Sequence, residues 1–98
     1  MTGATTMESK SLLNVTFRNV GGLHARAAAA FCIAALGFNS TITVSRNGQS
    51  VSGKSVMTLL TLGCQRGDSV LIEAEGPDAE CALDRLRTLV EHDLLEQD

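Results

Sequence analysis

The sequence predicts an α+β fold in the order β-α-β-β-α-β-α, a four-stranded, mostly antiparallel sheet with helices on one face. Three observations carry this. Apolar and polar residues alternate with the period of a half-buried strand in Leu13–Phe17, Ser40–Arg46 and Val70–Glu75. Two stretches, 25–36 and 79–90, place apolar residues at helical spacing. Between them Asn47-Gly48 is a strong signal for a two-residue hairpin, so one β-β link is tight.

In chain order, residues 1–10 are small, polar and unpatterned and read as a flexible tail, which leaves 11–98 as the domain. Leu13, Val15 and Phe17 face inward on the first strand, and Asn19-Val20-Gly21-Gly22 breaks it with a turn. The alanine-rich helix over 25–36 buries Ala28, Phe31, Cys32 and Ala35 and stops at Gly37 as its C-cap. Ile42 and Val44 point inward from the second strand, and Gln49–Ser52 returns around Val51. Ser55 is a good N-cap and Gly63 a good stop for a second helix of about two turns. The fourth strand buries Val70, Ile72 and Ala74. Gly76-Pro77-Asp78 then opens a last helix whose inner stripe is Ala79, Ala82, Leu83, Leu86, Leu89 and Val90. Acidic side chains near its C-terminus oppose the helix dipole, so residues 93–98 are expected to fray.

Composition excludes several function classes. The 98 residues suit one domain, and the net charge of -3 argues against a general nucleic-acid binder. Trp and Tyr are absent and Phe occurs three times, so platforms for stacking bases are not expected. No apolar run approaches the ~20 residues of a membrane span, and the start has no secretory h-region, so the expected compartment is the cytoplasm. Cys32, Cys64 and Cys81 have no metal-ligand spacing and read as reduced thiols acting as small hydrophobes. No metal and no cofactor are expected. His92, Arg18, Lys54 and Arg66 read as solvated, with Lys54 near a docking face. Ala27–Ser45 carries no charge, so Ile33 is either a partner or dimer contact or part of an alanine-rich bare surface.

The chemistry sits in Gly22-Leu23-His24-Ala25-Arg26-Ala27, between the first strand and the first helix. His24 falls at or beside the helix N-cap, where unpaired amides and the positive dipole end make an anion site. Arg26 adds a charge-assisted contact for a phosphoryl oxygen, and a neutral imidazole nitrogen is a competent nucleophile toward phosphorus. Taken on chemistry alone, a histidine that merely caps the helix fits the same spacing.

The run Gly22-Leu23-His24-Ala25-Arg26, followed by Ala28-Ala29 and Phe31, resembles the active-site signature of HPr, the histidine-containing phosphocarrier family of the bacterial phosphotransferase system. The likeness continues through Gly37-Phe38-Asn39-Ser40, Ile42-Thr43-Val44, Asn47-Gly48, Gly53-Lys54-Ser55, Leu62-Gly63 and Ala74-Glu75-Gly76, covering roughly residues 11–91. It implies an open-faced β-sandwich of four antiparallel strands and three helices. It also implies a carrier rather than an enzyme with its own substrate. Enzyme I, charged by phosphoenolpyruvate, would phosphorylate Nδ1 of His24, and IIA-type acceptors would take the group onward. Arg26 and the first-turn amides carry over as phosphate ligands, and in this chain those amides are read as Ala25 and Ala27. The likeness further implies a partner-docking patch of Val56, Met57, Leu59 and Leu60, some of which must also face the core.

Ser55 matches the serine that HPr kinase/phosphorylase modifies in some bacteria, and it equally fits an unmodified N-cap. Ala27 departs from the family, which usually has proline there. It restores an N–H and relaxes the backbone, with either altered transfer kinetics or plain drift as the consequence. A regulatory module of the same fold, binding a kinase or transcription regulator, is the alternative function, although such a module would not need His24. A monomer is expected, with neither nucleic acid nor membrane as partner.

Overall fold

The computed structural model describes residues 10–97, and the main-chain order is the one the periodicity predicts. The strands are β1 (Lys10–Thr16), β2 (Thr41–Arg46), β3 (Gln49–Ser52) and β4 (Ser69–Glu75). The helices are α1 (Ala25–Leu36), α2 (Val56–Leu60), α3 (Ala79–Thr88) and α4 (Leu94–Gln97), with a π-helical stretch, Leu89–Asp93, joining the last two. The tail expected over 1–10 lies outside the described residues except for Lys10, which instead opens β1 opposite Glu75.

The sheet order is β1-β4-β2-β3, antiparallel throughout. β4 lies between β1 and β2, and its Val70, Ile72 and Ala74 are buried as the alternation requires. Val15, Phe17, Ile42 and Val44 join them, and α1 lays Ala28, Phe31, Cys32 and Ala35 on this layer. At the hairpin Asn47 and Gly48 both take positive φ, 53° and 83°, the primed turn that suits the sheet's twist.

Gly37 caps α1 as expected, in the right-handed region at φ -74°. Other expectations need correction. α2 is a single turn capped by Ser55, shorter than the two turns expected. The last helix does not end by fraying at 93. Leu94 donates its N–H to the carbonyl of Leu89, five residues back, and this wider turn returns Leu94 to the core. Arg85 pairs with Asp93 at 2.8 Å, which offsets part of the unfavourable acidic terminus. Lys54 is not simply solvated, since its Nζ donates to the carbonyl of Phe38 at 2.8 Å. Cys32 and Cys64 are buried as small apolar groups, whereas Cys81 is exposed. His92 is exposed as expected.

Asp78 stands at the N-cap of α3, yet its carboxylate does not cap that helix. It accepts from the amides of Asn39 and Ser40 and from the Ser40 hydroxyl, at 2.8, 2.9 and 2.5 Å. The turn between α1 and β2 is thereby pinned to the turn between β4 and α3. These hydrogen bonds, the Ser40 hydroxyl foremost, hold the Asp78 carboxyl below its ordinary value.

Candidate functional site

The turn that follows β1 sets up the site. Asn19 is buried, and its Nδ2 donates to the carbonyl of Gly22 at 2.7 Å while the Gly22 amide returns to the Asn19 carbonyl at 3.1 Å. Gly22 takes φ +60°, and a Cβ there would press on the Cys64–Gln65 backbone at 2.6–2.7 Å. Only glycine meets both demands. The next amide, Leu23, donates to the Cys64 carbonyl at 3.0 Å, so the loop that follows α2 supports the turn from outside. The buried Leu23 side chain then anchors the segment in the core.

His24 is the N-cap of α1, in extended backbone (φ -77°, ψ 179°), and its carbonyl accepts from Ala28 at 2.7 Å. The ring is half-buried at the surface. One edge lies over Gly21, where any Cβ would overlap His24 Cδ2. On the other side Nδ1 accepts a hydrogen bond from the amide of Ala27 at 3.2 Å. An N–H aimed at Nδ1 requires that nitrogen to carry its lone pair, which puts the proton of the neutral ring on Nε2. Ala25, at the first helical position, and Arg26 beside it are exposed. The Ala25 amide has no acceptor within the helix, as for any first-turn amide. An imidazole lone pair therefore stands at a helix start, with the exposed Arg26 two residues on, a setting that accommodates a dianionic group without burying its charge.

The remaining site candidates divide. Ser55 caps α2 through its hydroxyl, which accepts from the Thr58 amide at 3.4 Å. Of the proposed docking residues, Met57 is 77% exposed and Leu60 partly so, while Val56 packs partly against the core. Leu59 is 0% exposed and is a core residue, which removes it from any docking surface. A one-turn helix packed against α1 and β3 must turn one side chain inward, and Leu59 is that one. The Cys64 thiol, next to the site's supporting carbonyl, is pushed up to about 11 by burial, with Asp68 adding to the shift, so it is no nucleophile at neutral pH.

Sequence reasoning read Asn19 and Gly21 as turn residues and missed what they do there: the Asn19 side chain closes the turn, and Gly21 is the seat of the ring. Paired glycines signal a turn, but the contact that makes Gly21 matter comes from His24, which follows the turn in the chain. Among the described residues no group of His, Cys, Asp and Glu side chains is placed to hold a metal. No described helix is long and apolar enough to cross a membrane.

Comparison with known proteins agrees with this geometry. Residues 13–92 match the family model described as the PTS HPr component phosphorylation site. The phosphocarrier protein HPr of Vibrio cholerae is 47% identical over 70 residues, 71% of this chain and 82% of that protein. The phosphocarrier protein HPr of Cupriavidus necator is 40% identical over 77 residues, 79% of this chain and 86% of the relative. The crystal structure of HPr-C-His from Thermoanaerobacter tengcongensis superposes with a TM-score of 0.84 at 35% identity, covering 90% of this chain and 98% of that one. Fold, sequence and the histidine at the start of α1 lead to one assignment: the chain belongs to the HPr family of phosphocarriers of the bacterial phosphotransferase system.

Proposed function

We propose that His24 is the phosphoacceptor, that Nδ1 is the atom that carries the group, and that the donor is enzyme I charged by phosphoenolpyruvate. IIA-type proteins are the proposed acceptors, and the cytoplasm the proposed compartment. The observation that carries this reading is the position of the ring: half-buried at the N-cap of α1, with Nδ1 bearing its lone pair toward the first-turn amides.

The transfer step balances without added reagents. The Nδ1 lone pair attacks phosphorus, and the donor's bond to phosphorus breaks with its electron pair staying on the donor. Nε2 keeps its proton throughout. Delivery to the acceptor is the same exchange in reverse. Catalysis of such a step is mainly positioning and charge stabilisation. Arg26 supplies a cation, and the amides of Ala25 and Ala27, with the dipole of α1, supply hydrogen-bond donors.

Val56, Met57 and Leu60 form the proposed docking patch, extended by Val20 on the turn that carries His24. The chain works as a monomer in this reading, with no nucleic acid or membrane as partner. Ser55 already has structural work as the cap of α2. Phosphorylation there by HPr kinase/phosphorylase is the finer regulatory proposal, and the phosphate would meet the amide its hydroxyl now engages.

Labelling with phosphoenolpyruvate and enzyme I tests these assignments. Label is expected on wild type and on Ser55→Ala and to be absent from His24→Ala. Label that persists in His24→Ala refutes the assignment of the acceptor.

A further inference from the structure

The Ala27 amide raises a problem that its neighbours do not. Ala27 is fully buried, yet its N–H sits in the first turn of α1, where no backbone carbonyl of the helix can receive it. A buried amide left without an acceptor is costly, so this donor needs a partner in every state the protein occupies for long. Its partner here is the Nδ1 lone pair of His24, at 3.2 Å. That is the same lone pair that has to attack phosphorus. Once Nδ1 carries a phosphoryl group, the lone pair is gone and the amide must find another acceptor beside it.

We propose that the Ala27 N–H is an exchangeable ligand that switches between His24 Nδ1 and a phosphoryl oxygen, and so helps set how strongly this carrier holds its group. The inference rests on the assignment of Nδ1 as the phosphorylated atom. In the unphosphorylated chain the bond fixes the ring with its proton on Nε2 and its lone pair toward the helix. The bond joins two neutral groups, at 3.2 Å, so its loss costs no more than a neutral hydrogen bond contributes. During transfer the N–H···Nδ1 contact is lost as the Nδ1–P bond forms. No proton moves, because the amide keeps its hydrogen and redirects it to an oxygen bound to phosphorus. A neutral hydrogen bond is exchanged for a charge-assisted one, which is the stronger of the two. The exchange therefore favours the phosphorylated form. Ala27 acts here as a positioning residue in one state and as a phosphate ligand in the other, through an N–H that proline at the same position would lack.

Two measurements test the proposal together. In uniformly 15N-labelled wild-type protein, a nitrogen–nitrogen coupling across the hydrogen bond between the Ala27 amide and His24 Nδ1 should be visible. It should vanish on phosphorylation by enzyme I and phosphoenolpyruvate, while the Ala27 amide proton stays protected from exchange. The second measurement is the phosphorylation equilibrium of Ala27→Pro against wild type at a fixed ratio of phosphoenolpyruvate to pyruvate. Loss of the donor should lower the ratio of phosphorylated to free chain by about fivefold. The thermal melt of the variant checks that it folds, and if it does not, the coupling in wild type decides alone. A phosphoryl group on Nδ1 with no such coupling beforehand, or an unchanged or raised equilibrium in folded Ala27→Pro, overturns the switch and leaves the carrier reading standing. A wild-type chain that takes no label, or takes it on Nε2, overturns both.

Discussion

Gly21 illustrates how a residue without a side chain positions one with chemistry. The imidazole of His24 rests over its Cα, and a methyl group there would occupy the space of Cδ2. Gly21 is exposed and is not among the glycines held at positive φ, so alanine suits its backbone. Gly21→Ala is nevertheless expected to cost about 1–3 kcal/mol, because the displaced ring no longer receives the buried Ala27 amide. It is expected to slow phosphorylation by about a hundredfold, because the ring is pushed from its place above the first turn. Chemical denaturation and the rate of label uptake from enzyme I separate the two effects. A variant labelled as fast as wild type would show that the seat has no part in the transfer. Glycines at 21 and 22 read as a turn from the sequence. That the first is a seat for the ring and the second a fit against Cys64 and Gln65 was not legible, since the partners lie outside the turn itself.

At the scale of elements, the strands and helices were legible because each has one buried face and the period of that face is written locally. α1 spans the residues its composition marks, and the inner stripe of α3 is buried at every predicted position. What failed to show depends on distant partners. Leu59 looked like its exposed neighbours in a short apolar run, and only α1 and β3, against which α2 packs, decide which side chain turns inward. Leu94 regains the core through a π turn that no spacing rule announces. Asp78, read only as part of the opening of the last helix, serves as the acceptor for Asn39 and Ser40, 39 and 38 residues earlier. That last contact has a pH signature. The folded-state carboxyl lies below its ordinary value of 3.8. Its contribution is thus complete above that value and is lost as pH falls through it toward the lower folded value. The stability difference between wild type and Asp78→Asn is expected to be constant at neutral pH and to shrink below about pH 4, read by denaturation between pH 7 and 2. A difference that stays the same down to pH 2 would contradict this role.

For the whole molecule, the sheet order β1-β4-β2-β3 has a direct consequence for the site. The turn after β1 is held by the loop between α2 and β4, through the Leu23 amide and the Cys64 carbonyl. That same loop is braced by Asp68, which receives Arg46 and the Gln65 amide, both at 2.9 Å. The histidine is thus presented from a rigid scaffold at a surface, not from the floor of a pocket, which suits an exchange between two protein partners. The central claim is that the group on His24 is transferable. Its most direct measurement uses phosphorylated chain freed of enzyme I and phosphoenolpyruvate and mixed with a IIA-type acceptor. The label is expected to move to the acceptor and to leave the carrier intact and ready for a second round. Label that remains on the chain, or leaves only as inorganic phosphate whether or not the acceptor is present, would contradict the account.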